Sequence, residues 1–139
     1  MRLLLIDDDR MSLEVLGRTL HIAGHECYAH TDPLAAIKWL SEGHEVDTVI
    51  TDLKMPEMNG LELIRDLKQN YPNLTVLAVT AYVDQELMWR NSDLEVDLMR
   101  KPLDISLLLE RLQQLEKESG GKKNAITDMP SPYGNGGVS

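Results

Sequence analysis

The sequence predicts an α/β fold: a doubly wound, five-stranded parallel sheet in the order 2-1-3-4-5 (flavodoxin-like), with helices on both faces. Three observations carry this. Apolar runs alternate with helix-period segments five times over residues 1–118, and that alternation implies parallel strands joined by crossover helices. The first, third and fourth runs are almost continuously apolar, as strands covered on both faces are, whereas the second and fifth carry Glu26, His30, Asp97 and Arg100 and read as edges. Finally, Asp7-Asp8, Asp52, Thr80 and Lys101 each stand at the end of such a run. An open parallel sheet places them on one edge, near the point where strand order reverses and ligands bind.

Each element has its own signal. The first strand, 3–6, leads into a helix near 10–23, with Met11, Leu16 and Leu20 expected on its inner face and Gly24 ending it. Residues 26–30 form the second strand. Thr31, Asp32 and Pro33 then supply cap candidates and a first-turn proline for a helix with Leu34, Ile37 and Leu40 inward. Strand three covers 47–51, and its helix runs from Gly60 to about Gln69 with Leu61, Ile64 and Leu67 inward. Strand four is 75–79, followed by a helix near 84–92. Strand five, 96–100, precedes a helix of about 104–118, capped by Asp104 and striped by Ile105, Leu108, Leu112 and Leu115. In residues 119–139, twelve of twenty-one are Gly, Pro, Ser or Asn. That composition buries too little surface to offset chain entropy and reads as a disordered tail or linker. The expected organisation is one domain, 1–118, and a tail, 119–139.

Composition narrows the function. A net charge of −9 and a pI near 4.8 argue against binding to nucleic acid or an anionic membrane. No basic cluster exceeds Arg100-Lys101 or Lys122-Lys123. The single cysteine, Cys27, excludes an internal disulfide and fits a reducing compartment. The start of the chain lacks a signal-peptide core, and no apolar stretch has membrane-spanning length. A cytoplasmic location is expected. His21, His25, His30 and His44 have no ligand spacing, and Trp89 beside Met88 reads as core or interface.

Asp7, Asp8 and Asp52 gathered in one place repel one another at neutral pH, and Lys101 alone does not neutralise them. A divalent cation would. An all-oxygen donor set favours Mg²⁺, or Mn²⁺, over zinc. A metal, an ammonium and a hydroxyl around a carboxylate suit phosphoryl transfer onto that carboxylate, forming an acyl phosphate. Each residue alone has an ordinary reading as a cap, a turn, a strand threonine or a surface lysine. Their joint placement at strand ends does not.

LLLIDDD, VITDLKMPEMNG, VLAVTA and RKPLD resemble the receiver domain of bacterial two-component response regulators, over residues 1 to about 118. The resemblance implies that Asp52 is the phosphoacceptor, charged by a sensor histidine kinase or a histidine phosphotransfer protein. It implies metal ligation by Asp7, Asp8, Asp52 and the main-chain carbonyl of Lys54. Thr80 and Lys101 would contact the phosphoryl oxygens, and the Lys101–Pro102 peptide would be cis and aim Lys101 inward. Phosphorylation would remodel the face built from the helix near 84–92, the strand 96–100 and the helix 104–118, where a downstream partner docks. The chain would undergo self-phosphorylation and autodephosphorylation and would otherwise be no enzyme. A phosphorylation-dependent homodimer is left open, as is the choice between a stand-alone protein and part of a longer regulator.

The chain departs from the family pattern where Leu98 replaces the usual aromatic switch residue, and Asn91–Val96 lacks the small residues typical there. Lys54 and Tyr82 flank the expected acceptor and threonine, and their long side chains are expected to cover the site and prolong the phosphate's lifetime. A Lys54→Ala/Tyr82→Ala protein that lost phosphate no faster than wild type would contradict this. The rival reading is a haloacid-dehalogenase-type phosphatase with Asp7 as nucleophile, since Asp7-Asp8-Asp9 has the D-x-D form. Against it, Met11 stands where that family has Thr or Val, no acidic pair follows Lys101, and Asp52 would have no role.

Overall fold

In the computed structural model of the protein the described residues are 1–55, 58–81 and 96–126, with backbone alone for 119–126. Pro56, Tyr82, Met88, Trp89, the expected helix near 84–92 and residues 127–139 lie outside them. The first compact unit, Met1–Asp104, contains β1 (Arg2–Ile6), α1 (Arg10–Ile22), β2 (Glu26–His30), α2 (Pro33–Ser41), β3 (Thr48–Asp52), α3 (Gly60–Asn70), β4 (Thr75–Thr80) and β5 (Asp97–Arg100). All five strands pair in parallel in the order β2-β1-β3-β4-β5. The expected topology is the observed one, and strand ends agree to within one residue.

Burial follows position in the sheet. Leu3 to Ile6 of β1, Thr48 to Thr51 of β3 and Val76 to Thr80 of β4 are buried without interruption, while β2 and β5 are half-buried. Side chains alternate between the faces of a strand. Leu4, Ile6, Val49, Val76 and Ala78 join a core with Ala36 and Leu40 of α2 and Leu63, Ile64 and Leu67 of α3. Leu5 points the other way, beneath α1: a Cβ on Gly17 would lie 3.8 Å from its Cδ1. The sheet is therefore covered on both faces.

Caps fix the helix starts. Asp9, Asp32 and Asn59 each accept a hydrogen bond from the backbone N–H two residues on, at 3.1, 3.0 and 2.8 Å, which satisfies a donor the first turn leaves open. Pro33 occupies the first turn of α2, as expected. Gly24, at φ 99°, follows the end of α1 and donates to the His21 carbonyl at 2.9 Å, a left-handed conformation that glycine adopts without strain.

Three expectations about helices change. Met11 faces solvent, and the buried residues of α1 are Leu13 and Leu20. Nine residues separate Met11 from Leu20, two and a half turns at 3.6 residues per turn, so they lie on opposite faces. In α2 the inward residues are Pro33, Ala36 and Leu40, with Leu34 exposed. The last helix, α4 (Ile105–Ile126), begins the second unit and continues eight residues past the expected end at 118. Extending an existing helix adds a hydrogen bond per residue fixed, so even Gly120 and Gly121 propagate it. Leu108 and Leu112 of the expected stripe are buried. No helix among the described residues is long and apolar enough to cross a membrane.

Tyr28, His30, Trp39 and His44 form a ring cluster between β2 and α2. His44 stacks on Trp39 at 4.3 Å with planes 4° apart, and Tyr28 lies 4.9 Å away on the same indole. His30 and His44 are thus packing residues, as their lack of ligand spacing suggests.

Thr48 is fully buried, and its hydroxyl has no hydrogen-bond partner among the described residues. A buried unsatisfied hydroxyl costs about 1–3 kcal/mol. Thr48→Val keeps the shape and removes that cost, and urea denaturation should find the variant more stable by about 1 kcal/mol. A less stable variant would mean that the hydroxyl is satisfied in solution.

Candidate functional site

The switch point of this strand order lies between β1 and β3, and the residues that leave those strands are Asp7, Asp8 and Asp52. Backbone hydrogen bonds tie the strand ends together: Asp7 N–H donates to His30 O at 3.3 Å, Leu53 N–H to Val79 O at 3.1 Å, and Lys101 N–H to Thr80 O at 2.8 Å. The last two set the ends of β3, β4 and β5 side by side, and the parallel pairing of β1 with β3 brings Asp7 and Asp8 next to Asp52. Asp7, Asp8 and Asp52 each bring a carboxylate oxygen within 4.8 Å of the others.

Lys101 reaches this cluster from the end of β5. Its Nζ lies 2.9 Å from Asp52 Oδ2 and 3.2 Å from Asp7 Oδ2, with the two carboxylates 11% and 14% exposed and the ammonium 32%. The Lys101–Pro102 peptide is cis. Burial alone would lower the Lys101 pKa, but the hydrogen bond and charge of Asp52, followed by those of Asp7, raise it above 10.5. A raised lysine stabilises the fold at every pH below 10.5 and loses that contribution only as pH climbs through the raised value. The remaining oxygens are also held. Asp52 Oδ1 accepts from Lys54 N–H at 3.2 Å, and Asp7 Oδ1 accepts from Asp9 N–H at 3.0 Å.

The loop after β3 is shaped by contacts that motif reading does not reveal. Lys54 and Asn59 form an isolated antiparallel bridge, and Gly60 N–H donates to Leu53 O at 3.0 Å. A Cβ on Gly60 would stand 2.5 Å from that carbonyl oxygen. Gly60 therefore lets α3 close onto the residue after Asp52, a role beyond the turn expected of it. Thr80 is buried at the end of β4, next to the Lys101 backbone. Leu98 is half-buried against the core and pairs in register with Ala78. The Lys54 side chain is exposed. Asp9 stays outside the cluster. The Ser12 hydroxyl donates to it and holds its carboxyl below the ordinary range, fixing it as the cap of α1.

Burial, and then the neighbouring Asp7 and Asp52, push the Asp8 carboxyl above its ordinary value of 3.8. A carboxyl raised in the folded state favours folding while protonated, and that contribution disappears as pH rises through the folded value. Asp8 is exposed, so at neutral pH water screens much of the repulsion its ionised carboxylate meets, and the part that remains works against the fold until a cation joins the cluster. The donor set fits a hard divalent ion: three carboxylates from two strand ends, all oxygen. In chelator, Asp8→Asn should melt at a higher temperature than wild type at pH 7, and the gap should close as pH falls into the acid range. Added Mg²⁺ should stabilise wild type more than the variant. A wild type that outlasts Asp8→Asn in chelator would contradict this electrostatic account.

Residues 3–113 match the response regulator receiver domain. Curated relatives include the response regulator FleR of Pseudomonas aeruginosa, 36% identical over 113 residues, where the match takes in 78% of this chain and 23% of that protein. The virulence transcriptional regulator PhoP of Salmonella typhimurium is 31% identical over 134 residues, 94% of this chain and 58% of PhoP. A cyclic di-GMP phosphodiesterase of Thermotoga maritima is 30% identical, and the chain spans 29% of it. The chain thus spans between about a quarter and three fifths of these relatives. Among solved structures, the receiver domain of an HD domain-containing protein from Pseudomonas fluorescens superposes with TM-score 0.77 at 27% identity, covering 86% of this chain and 97% of that one. The response regulator TrrA of Thermotoga maritima, solved with Mg²⁺ and BeF, gives 0.70 at 26% identity, covering 82% and 97%. The match to the family model, the five-stranded topology and the acidic edge agree: the chain belongs to the response regulator receiver domain family.

Proposed function

We propose that the chain is a phosphoacceptor switch in which Asp52 takes a phosphoryl group from a phosphohistidine of a sensor kinase or a histidine phosphotransfer protein. The observation that carries this reading is the Lys101 ammonium held between Asp52 and Asp7, with Asp8 alongside. In the transfer, an Asp52 carboxylate oxygen forms a bond to phosphorus in line with the departing imidazole nitrogen. The P–N bond breaks, and its electron pair returns to the donor ring. Asp7, Asp8, Asp52 and the main-chain carbonyl of Lys54 would hold Mg²⁺ or Mn²⁺. When bound, that ion supplies charge neutralisation for the phosphoryl oxygens. The TrrA complex with Mg²⁺ and BeF supports the choice of ion.

Lys101 is placed to exchange its contact with the Asp52 carboxylate for one with a phosphoryl oxygen, and Thr80 donates its hydroxyl to another. Contacts available only after phosphorylation shift the population toward a second conformer. Downstream partners would read the change on a face that includes β5. Leu98 fills space there without a ring hydroxyl, so Thr80 carries the read-out in this chain. Under this reading the protein works in the cytoplasm and turns over no substrate beyond its own acyl phosphate.

Incubation with Mg²⁺ and acetyl phosphate, followed by intact-protein mass measurement, tests the reading. Wild type should gain one phosphoryl group and Asp52→Asn none. An adduct that survives Asp52→Asn and disappears in Asp7→Asn would replace this account with a phosphatase-like one.

A further inference from the structure

A cleft of about 340 Å³ opens between α1, the end of β2 and the start of α2. Its size lies at the lower end of the roughly 300–1,000 Å³ of small-molecule sites. Helix α1 lines it with Arg10, Leu13 and Glu14, β2 with His30, and α2 with Ala35 and the capping Asp32. Arg10 and Glu14 stand one turn apart, where side chains are neighbours, yet among the described residues neither side chain has an ion pair or hydrogen bond. Asp32 uses only Oδ1, which accepts from Leu34 N–H at 3.0 Å. Burial holds the His30 imidazole below its ordinary 6.5 despite the charge of Asp32, so it adds no charge at neutral pH. The cleft therefore presents one cation and two carboxylates, with the buried Leu13 and the Ala35 methyl as apolar lining.

We propose that this cleft binds a free α-amino acid with a basic side chain. Such a molecule carries one carboxylate and two cationic groups, the complement of the charges that line the cleft. Its carboxylate takes the fork of N–H donors on Arg10. Its α-ammonium donates to Glu14, and its side-chain cation donates to Asp32 Oδ2. The methylene stem between them lies along Leu13 and Ala35. A neutral amino acid leaves one carboxylate of the cleft unmatched, and a diamine leaves Arg10 unmatched. Arg10 and Glu14 are exposed, so water screens both pairs and the dissociation constant falls at about 0.1–1 mM. None of these three charged residues belongs to the Asp7, Asp8 and Asp52 cluster, and the inference is independent of the phosphoacceptor reading.

Titration of the ¹⁵N-labelled full chain with L-lysine, followed by NMR, tests it. Saturable shifts should gather on the amides of residues 10–14 and 29–35. L-leucine and cadaverine, which lack one of the required charges, should bind at least about tenfold more weakly. Arg10→Gln and Glu14→Gln should each weaken L-lysine about tenfold, with thermal melts unchanged to establish that the fold is intact. No saturable shift at about 10 mM L-lysine would overturn the proposal. So would cadaverine or L-leucine binding as tightly as L-lysine, or L-lysine binding that is indifferent to both variants.

Discussion

Carboxylates held within a few ångströms of one another repel at neutral pH, and a fold that gathers three of them has to supply countercharge. Here the first countercharge is Lys101, whose ammonium touches Asp52 and Asp7 at once. One ammonium against three carboxylates leaves the cluster anionic. The Asp8 carboxyl, pushed above its ordinary value first by burial and then by Asp7 and Asp52, registers part of that imbalance. Under the proposed function, the same excess of negative charge would draw a hard cation to the site, and a bound cation would suit the edge for an incoming phosphoryl group. Under that reading, stability and function compete at these residues, and a bound cation would resolve the competition.

The rest of the architecture serves to deliver those groups. A parallel sheet directs every strand end to one edge, and the order β2-β1-β3-β4-β5 puts β1 beside β3, so Asp7 and Asp8 meet Asp52. The bonds from Asp7, Leu53 and Lys101 to carbonyls on neighbouring strands continue the ladder one residue past the strands and hold the site residues in place. Gly60 and the Lys54–Asn59 bridge do the same for the loop after Asp52. Beneath these, the continuously buried stretches of β1, β3 and β4 supply the core of the sheet.

Much of this was legible in the residues. A charged group directly after a buried strand is conspicuous, and Asp7, Asp8, Asp52, Thr80 and Lys101 all carry that signature. Strand order followed from which runs tolerate Glu26, His30, Asp97 and Arg100. Side-chain direction was harder. Met11 and Leu34 look like core residues because they are large and apolar, and their exposure reflects a helix phase that is set by Leu13, Leu20, Ala36 and Leu40. The Trp39 cluster joins β2 to α2 and the residue His44 after it, and its partners are adjacent only in space. Gly60 reads as a turn residue, while the contact that requires it, with the Leu53 backbone, is made across the loop. The true end of α4 was hidden by glycines that a propagating helix accommodates.

The central claim is that the phosphoryl group resides on Asp52. Borohydride reduces an aspartyl phosphate to homoserine, and peptide mass spectrometry of the reduced, phosphorylated protein locates the converted residue directly. The account predicts homoserine at position 52 and unmodified aspartate at positions 7 and 8. Homoserine at position 7, or a phosphorylated protein whose Asp52 survives reduction unchanged, would contradict it.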